Sequence, residues 1–131
     1  MKTIKRTKRL LFVGLILSSC AVFAEEWKTY FESDKFYFYL PPNSTQRAGD
    51  NIITHTIHDF KAPSERGERS RQITREYDCA NAQSRVLKMV TYSKEKAAGQ
   101  IIREEAETEA WTAIPPNSAV AALGNIVCKT K

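Results

Sequence analysis

Apolar and polar positions alternate with a period near two along most of this chain, which is the signature of half-buried strands. Trp27, Thr29 and Phe31 alternate with Lys28, Tyr30 and Glu32, so the pattern predicts a first strand with Tyr30 on its polar side. Ser33-Asp34-Lys35 makes a turn, and residues 36–40 form an aromatic run suited to a sheet. Pro41-Pro42-Asn43-Ser44 ends that run, because proline cannot donate to a ladder. After a turn at Gly49-Asp50-Asn51, the β-branched residues 52–60 predict a third strand. Residues 61–71 are polar and contain Pro63 and Gly67, so they read as a solvated loop. Residues 72–79 read as a fourth strand with Ile73, Arg75, Tyr77 and Cys79 on one face, and residues 84–92 as a fifth. A turn around residues 94–99 leads into 100–104, while 106–111 reads equally as a helical turn or a loop. Trp111 to Ile114 then brings an aromatic side chain back to the core. Strands joined by short turns favour an antiparallel meander over βαβ units.

The period changes at the C-terminal end. Pro115-Pro116 stops the preceding strand, and Asn117 or Ser118 is placed to cap a helix by accepting an otherwise orphaned N–H. Val120, Leu123, Gly124, Val127 and Cys128 then follow the i, i+3, i+4, i+7, i+8 spacing of one helical face. This helix is the predicted cover for one face of the sheet. Cys128 falls on its buried side, within reach of Cys79 at the end of the fourth strand. The alternative is that both thiols stay free and buried, and the choice depends on the compartment.

The first 24 residues bear on that choice. Lys2, Lys5, Arg6, Lys8 and Arg9 precede an apolar run over 10–17 and then small residues, the form of a secretory signal. The run is shorter than the roughly 20 apolar residues of a membrane span. Cleavage after Ala24 would leave residues 25–131 as one domain; alternatively, Leu17-Ser18-Ser19-Cys20 resembles a lipobox, with Cys20 as the lipidated first residue. Either route removes Cys20 from disulfide chemistry and leaves Cys79 and Cys128 as one pair. An oxidising destination favours their disulfide, which would close a long loop and contribute roughly 4 kcal/mol in the chain-entropy model. Charge also changes meaning. The chain carries 20 basic and 15 acidic residues, but five of the basic ones and none of the acidic ones lie in residues 1–24. The exported part is then electrically balanced, so the high overall charge belongs to the leader and gives no support to nucleic-acid binding.

Candidate chemistry is sparse. His55 and His58 are three apart in a predicted strand, so they point to opposite faces and cannot share a metal. Cys79 as a nucleophile with one of these histidines as base competes with the disulfide and loses in an exported chain. Glu104, Glu105, Glu107 and Glu109 read as a solvated acidic face. No nucleophile–base–orienter set appears, so the expectation is a non-enzyme with no catalytic residue, cofactor or metal. The loop residues Lys61, Arg66, Arg69 and Arg71 are the candidate binding residues, with Glu65 and Glu68 blunting their charge.

Trp27, the aromatic residues 36–39, Ser70, Tyr77-Asp78-Cys79, Tyr92-Ser93, Gly99, Trp111, Ile114-Pro115, Ser118 and Cys128 follow one another in an order by which the exported region resembles the bacterial surface-adhesin protein E family. The resemblance implies an α+β fold: a curved antiparallel sheet of about six strands with a C-terminal helix tethered by the disulfide. It also implies an envelope protein, sometimes lipidated, whose relatives bind host extracellular-matrix and serum proteins such as laminin, vitronectin and plasminogen. Location in the periplasm or at the outer membrane and cell surface of a Gram-negative-type bacterium follows from the same reading, with membrane contact only through a lipid anchor. A periplasmic accessory protein, homodimeric through a sheet edge, is the alternative. A hydrolase without a recognisable motif is the remote one.

Overall fold

The computed structural model describes residues 26–129, with Gly14 and Ile16 before them. The two signal-cleavage sites and Cys20 lie outside the described residues. The described chain forms β1 (Lys28–Glu32), β2 (Phe36–Leu40), β3 (Thr45–Ala48), β4 (Asn51–Phe60), β5 (Ser70–Asp78), β6 (Gln83–Lys94), β7 (Ala98–Glu105), β8 (Thr112–Ala113) and α1 (Ala119–Val127). All strands belong to one antiparallel sheet, ordered β1-β2-β4-β5-β6-β7. The two remaining strands are short and pair at the margins, β3 with β4 and β8 with β6.

Those short strands extend the expected count and have a common origin. β2 pairs with the second half of β4, from Tyr39 opposite Ile57 to Phe36 opposite Phe60. β3 pairs with its first half, from Thr45 opposite Thr54 to Ala48 opposite Asn51. The two therefore lie end to end on one flank of β4, interrupted where Pro41-Pro42 removes two ladder donors. Ser44 repairs the break: its carbonyl accepts the His55 N–H at 2.8 Å and its hydroxyl donates to the Pro41 carbonyl. β7 and β8 share the outer flank of β6 in the same way, at residues 89–94 and 83–84 respectively.

Bulges bend the sheet, since an extra residue on one strand sharpens local twist. Register shifts occur between β1 and β2 at Tyr30, between β5 and β6 at Leu87 opposite Thr74 and Arg75, and between β6 and β7 around Tyr92, where Ile102 is the first extra residue. The first corrects the alternation expected for β1. Tyr30 occupies the bulge and turns inward, where it packs against the core beside Tyr77 and lies 6.0 Å from Phe38 by ring centroids.

The helix covers one end of the sheet. Ser118 is its N-cap, with Oγ accepting the Ala121 N–H at 3.1 Å, while Asn117 takes the positive φ of 56° that leads into the cap. Leu123, Gly124 and Val127 face inward against Tyr77, Leu40, Ile52 and Ile114. Tyr77 is fully buried, and its hydroxyl donates to the Val120 carbonyl at 2.8 Å. Each such apolar side chain stabilises the fold by roughly 1.5–3 kcal/mol. The Cys79–Cys128 disulfide closes this end, with Cα atoms 5.6 Å apart.

Candidate functional site

Opposite the disulfide, β4 and β5 are joined by the polar segment that carries the candidate cations. Two bonds fix its neck: the Phe60 N–H donates to Arg69 O at 2.9 Å, and the Lys61 N–H to Lys35 O at 2.9 Å. Within the loop, Ser64 Oγ accepts the N–H groups of Arg66 and Glu68 at 3.3 and 3.0 Å, and Gly67 takes a φ of 78°. The loop is thus tightly folded. It is also shorter than expected, because Ser70 and Arg71 already belong to β5. Arg71 continues the inward series Arg71, Ile73, Arg75, Tyr77. That alternation was present in the sequence, and a run of polar neighbours concealed its first member.

The structure separates the four cations. Lys61 pairs with Glu32 at 2.5 Å and lies 4.7 Å from the Tyr37 ring centroid. Arg69 turns to the β6–β7 hairpin and pairs with Glu95. Arg66 is exposed on the loop. Arg71 faces the sheet interior opposite His58 and donates from Nε to His58 Nδ1 at 3.3 Å. Lys61 and Arg71 line a common cleft, while Arg69 does not.

Behind Arg71 lies a buried polar chain. His58 Nδ1 accepts from arginine, so Nε2 carries the proton and donates to Thr56 Oγ1 at 3.3 Å. Thr56 also faces the Tyr30 hydroxyl. Burial, with Arg71 and Arg75 adding to it, lowers the His58 pKa to about 3, so the ring stays neutral. Burial raises Tyr30 to about 12, with Thr56 opposing. This chain orients side chains; it contains no nucleophile.

The sheet displays aromatic side chains on both faces. On the inner face Phe38, buried, touches Phe31 at 5.5 Å and His58 at 4.4 Å, and Phe36 lies 5.0 Å from Phe60. On the outer face Trp27, Tyr39 and Tyr37 form a row at spacings of 6.2 and 6.3 Å, with Lys96 5.5 Å from the Trp27 centroid. Trp111 stacks under Arg85 at 4.3 Å, at the margin of the sheet and away from its core.

Elsewhere the expected faces hold. His55 is on the outer face, bonded to Thr74 Oγ1 at 3.1 Å, while His58 is on the inner one. Cys79 is oxidised, so no thiolate is present there. Glu104 pairs with Lys88 at 2.7 Å, and the acidic stretch is exposed. Among the described residues no three His, Cys, Asp or Glu side chains converge as metal ligands.

A profile of the family described as "Surface-adhesin protein E" matches residues 27–129. The chain belongs to that family. Solved structures agree with the placement. Crystal form II of Haemophilus influenzae protein E superposes with a TM-score of 0.61 at 11% identity, covering 80% of this chain and 96% of that one. The selenomethionine form of the same protein gives 0.61 at 11% identity, covering 81% and 94%. Protein E from non-typeable Haemophilus influenzae gives 0.54 at 11% identity, covering 80% and 85%. At that identity the likeness is one of fold. A search of curated proteins returns no match.

The residues that carry the family resemblance are largely scaffold residues. Ser70, fully buried, donates to Lys94 O at 2.5 Å and accepts the Ala97 N–H at 2.9 Å, which ties β5 to the β6–β7 hairpin. Ser93 Oγ accepts the Gln100 N–H at 2.9 Å, and a Cβ at Gly99 would collide with that hydroxyl. Asp78 closes the β5–β6 turn on Asn81 and Gln83 at 2.8 and 3.0 Å. Tyr77, Cys79, Ser118 and Cys128 hold the helix. Ser70, Tyr77, Asp78, Cys79, Ser93, Gly99, Ser118 and Cys128 of the surface-adhesin protein E pattern therefore have structural roles.

Proposed function

We propose that this chain is an exported surface adhesin whose domain binds a protein partner from the host, of the extracellular-matrix or serum class. The observation that carries the reading is the match to the surface-adhesin protein E family over residues 27–129. The basic leader and apolar run of residues 1–24 support export, ending at Ala24 or at a lipidated Cys20. We assign the adhesive surface to the β4–β5 end because Arg66 is exposed there and Lys61, Arg69 and Arg71 frame the loop. A second copy is proposed to pair along β7, an edge strand whose eight residues are all exposed, including Ile101 at 57% and Ile102 at 39%. The family's adhesive role favours a non-enzyme.

Intact cells of the producing bacterium, labelled with a membrane-impermeant biotin reagent, test the location. Capture on immobilised laminin, vitronectin and plasminogen tests the binding. Surface labelling with saturable capture is the expected result. Labelling only after the outer membrane is permeabilised would replace adhesion with a periplasmic accessory role. The intact mass decides between a start at Glu25 and a lipidated Cys20.

A further inference from the structure

Arg71 frames the proposed adhesive end, but the cleft behind it has a feature that binding a protein partner does not require. The Arg71 guanidinium carbon lies 4.7 Å from the Phe36 ring centroid and 5.9 Å from that of Phe60. Its Nε–H is committed to His58 Nδ1, a neutral acceptor fixed by Thr56. The group is thereby held from three sides. Yet among the described residues no carboxylate lies within 4 Å of it, and neither terminal nitrogen has a hydrogen-bond partner. Its neighbours Lys61 and Arg69 are both neutralised by glutamates. The Arg71 side chain is half-buried, and its unpaired terminal nitrogens stay open to solvent, where a ligand can reach them. A planar fork of free N–H donors is shaped for two oxygens of one anion.

The surroundings define that anion. Arg71 lines a cleft of about 530 Å³, within the size range of small-ligand sites. Phe36, Phe60 and Ala62 give it apolar walls. Ser64 Oγ already accepts two backbone N–H groups, so its own O–H remains to donate. Asp34 and Glu68 line it together with Lys35, Lys61 and Arg71, three cations against two carboxylates, so one further negative charge balances the lining and a second is in excess. We propose that this cleft binds a monoanionic carboxylate carried on an apolar or aromatic body, with the carboxylate bidentate on the Arg71 fork and the body against Phe36 and Phe60. The proposal does not rest on adhesion and survives its failure.

The test is an NMR titration of the exported, disulfide-intact protein, following the Arg71 Nε–H resonance and the Phe36 and Phe60 rings. The probes are 4-phenylbutyrate, its neutral amide and phenyl phosphate at a pH where the phosphate is a dianion. Saturable shifts at all three reporters are expected with the carboxylate, with binding at least about tenfold weaker for the amide, since a charged hydrogen-bonded pair is lost. The phosphate is expected to bind more weakly than the carboxylate. Arg71→Gln should abolish binding. Because Arg71 is packed into the sheet, Ala62→Glu is the second variant: position 62 is exposed. There it places a competing carboxylate at the cleft and should weaken the probe about tenfold with the fold intact. Shifts that stay linear to the solubility limit, equal affinity for the amide, or tighter binding of the dianion would overturn the proposal.

Discussion

His58 is neutral inside the sheet because burial, and then Arg71 and Arg75, hold its pKa at about 3, against an ordinary value of 6.5. The unfolded chain therefore binds a proton at this residue between those two values while the folded chain does not. Stability rises with pH across that window and is lost as pH falls through it. The full loss is roughly 3–5 kcal/mol. Urea midpoints measured from pH 7 down to pH 4 should fall steadily, and His58→Asn should flatten that slope. An unchanged slope in the variant would assign acid lability to other groups. The same residue shows how local conformation can mislead. Tyr30 was expected among polar neighbours, and a single bulge at its position delivers it to the Thr56–His58 chain instead.

The helix is nine residues long and is held by its contacts rather than its own propensity. Gly124 packs tightly on the sheet: a Cβ there would stand 3.2 Å from Tyr77 Cε1. Replacing a mid-helix glycine with alanine normally stabilises by up to about 1 kcal/mol. Here Tyr77 is fully buried and bonded to Val120, so it cannot move aside, and overpacking should prevail. Gly124→Ala is expected to destabilise by about 1 kcal/mol in chemical denaturation, and a gain in stability would show that the tyrosine yields. The disulfide acts on the same element through the unfolded chain. Its loop spans a sequence separation of 49, so Cys128→Ser should cost up to about 4 kcal/mol. A melting curve unchanged by the substitution or by reductant would remove the clamp from the account of stability.

The whole domain has two unlike ends and two unlike edges. One end is stapled by helix and disulfide; the other holds the loop, the cleft and Arg71. Of the edges, β1 contacts the helix, whereas β7 is exposed along its length. An open edge with two exposed isoleucines invites strand addition. The proposed pairing along β7 predicts a dimer in sedimentation equilibrium whose fraction Ile102→Lys lowers while leaving the melting temperature nearly unchanged; a chain monomeric at all concentrations would overturn the pairing. A dimer that persists at full strength would move the interface away from β7.

Most of this architecture can be read from periodicity, because strand and helix faces are set by neighbours two or four residues apart. The six long strands, the Ser118 cap and the Leu123–Val127 face follow from such local rules, and cysteine pairing follows from counting within an oxidising compartment. Two short strands do not, since β3 and β8 exist only because β4 and β6 are long enough to offer a second partner. Nor does the fate of the charged loop. Lys61, Arg66, Arg69 and Arg71 look alike in one dimension, and each one's role depends on whether a carboxylate from a distant strand meets it. Glu32 and Glu95 are 29 and 26 residues from the cations they neutralise. No local pattern encodes such distances, so tertiary packing alone left Arg71, among the described residues, without a carboxylate in ion-pair reach.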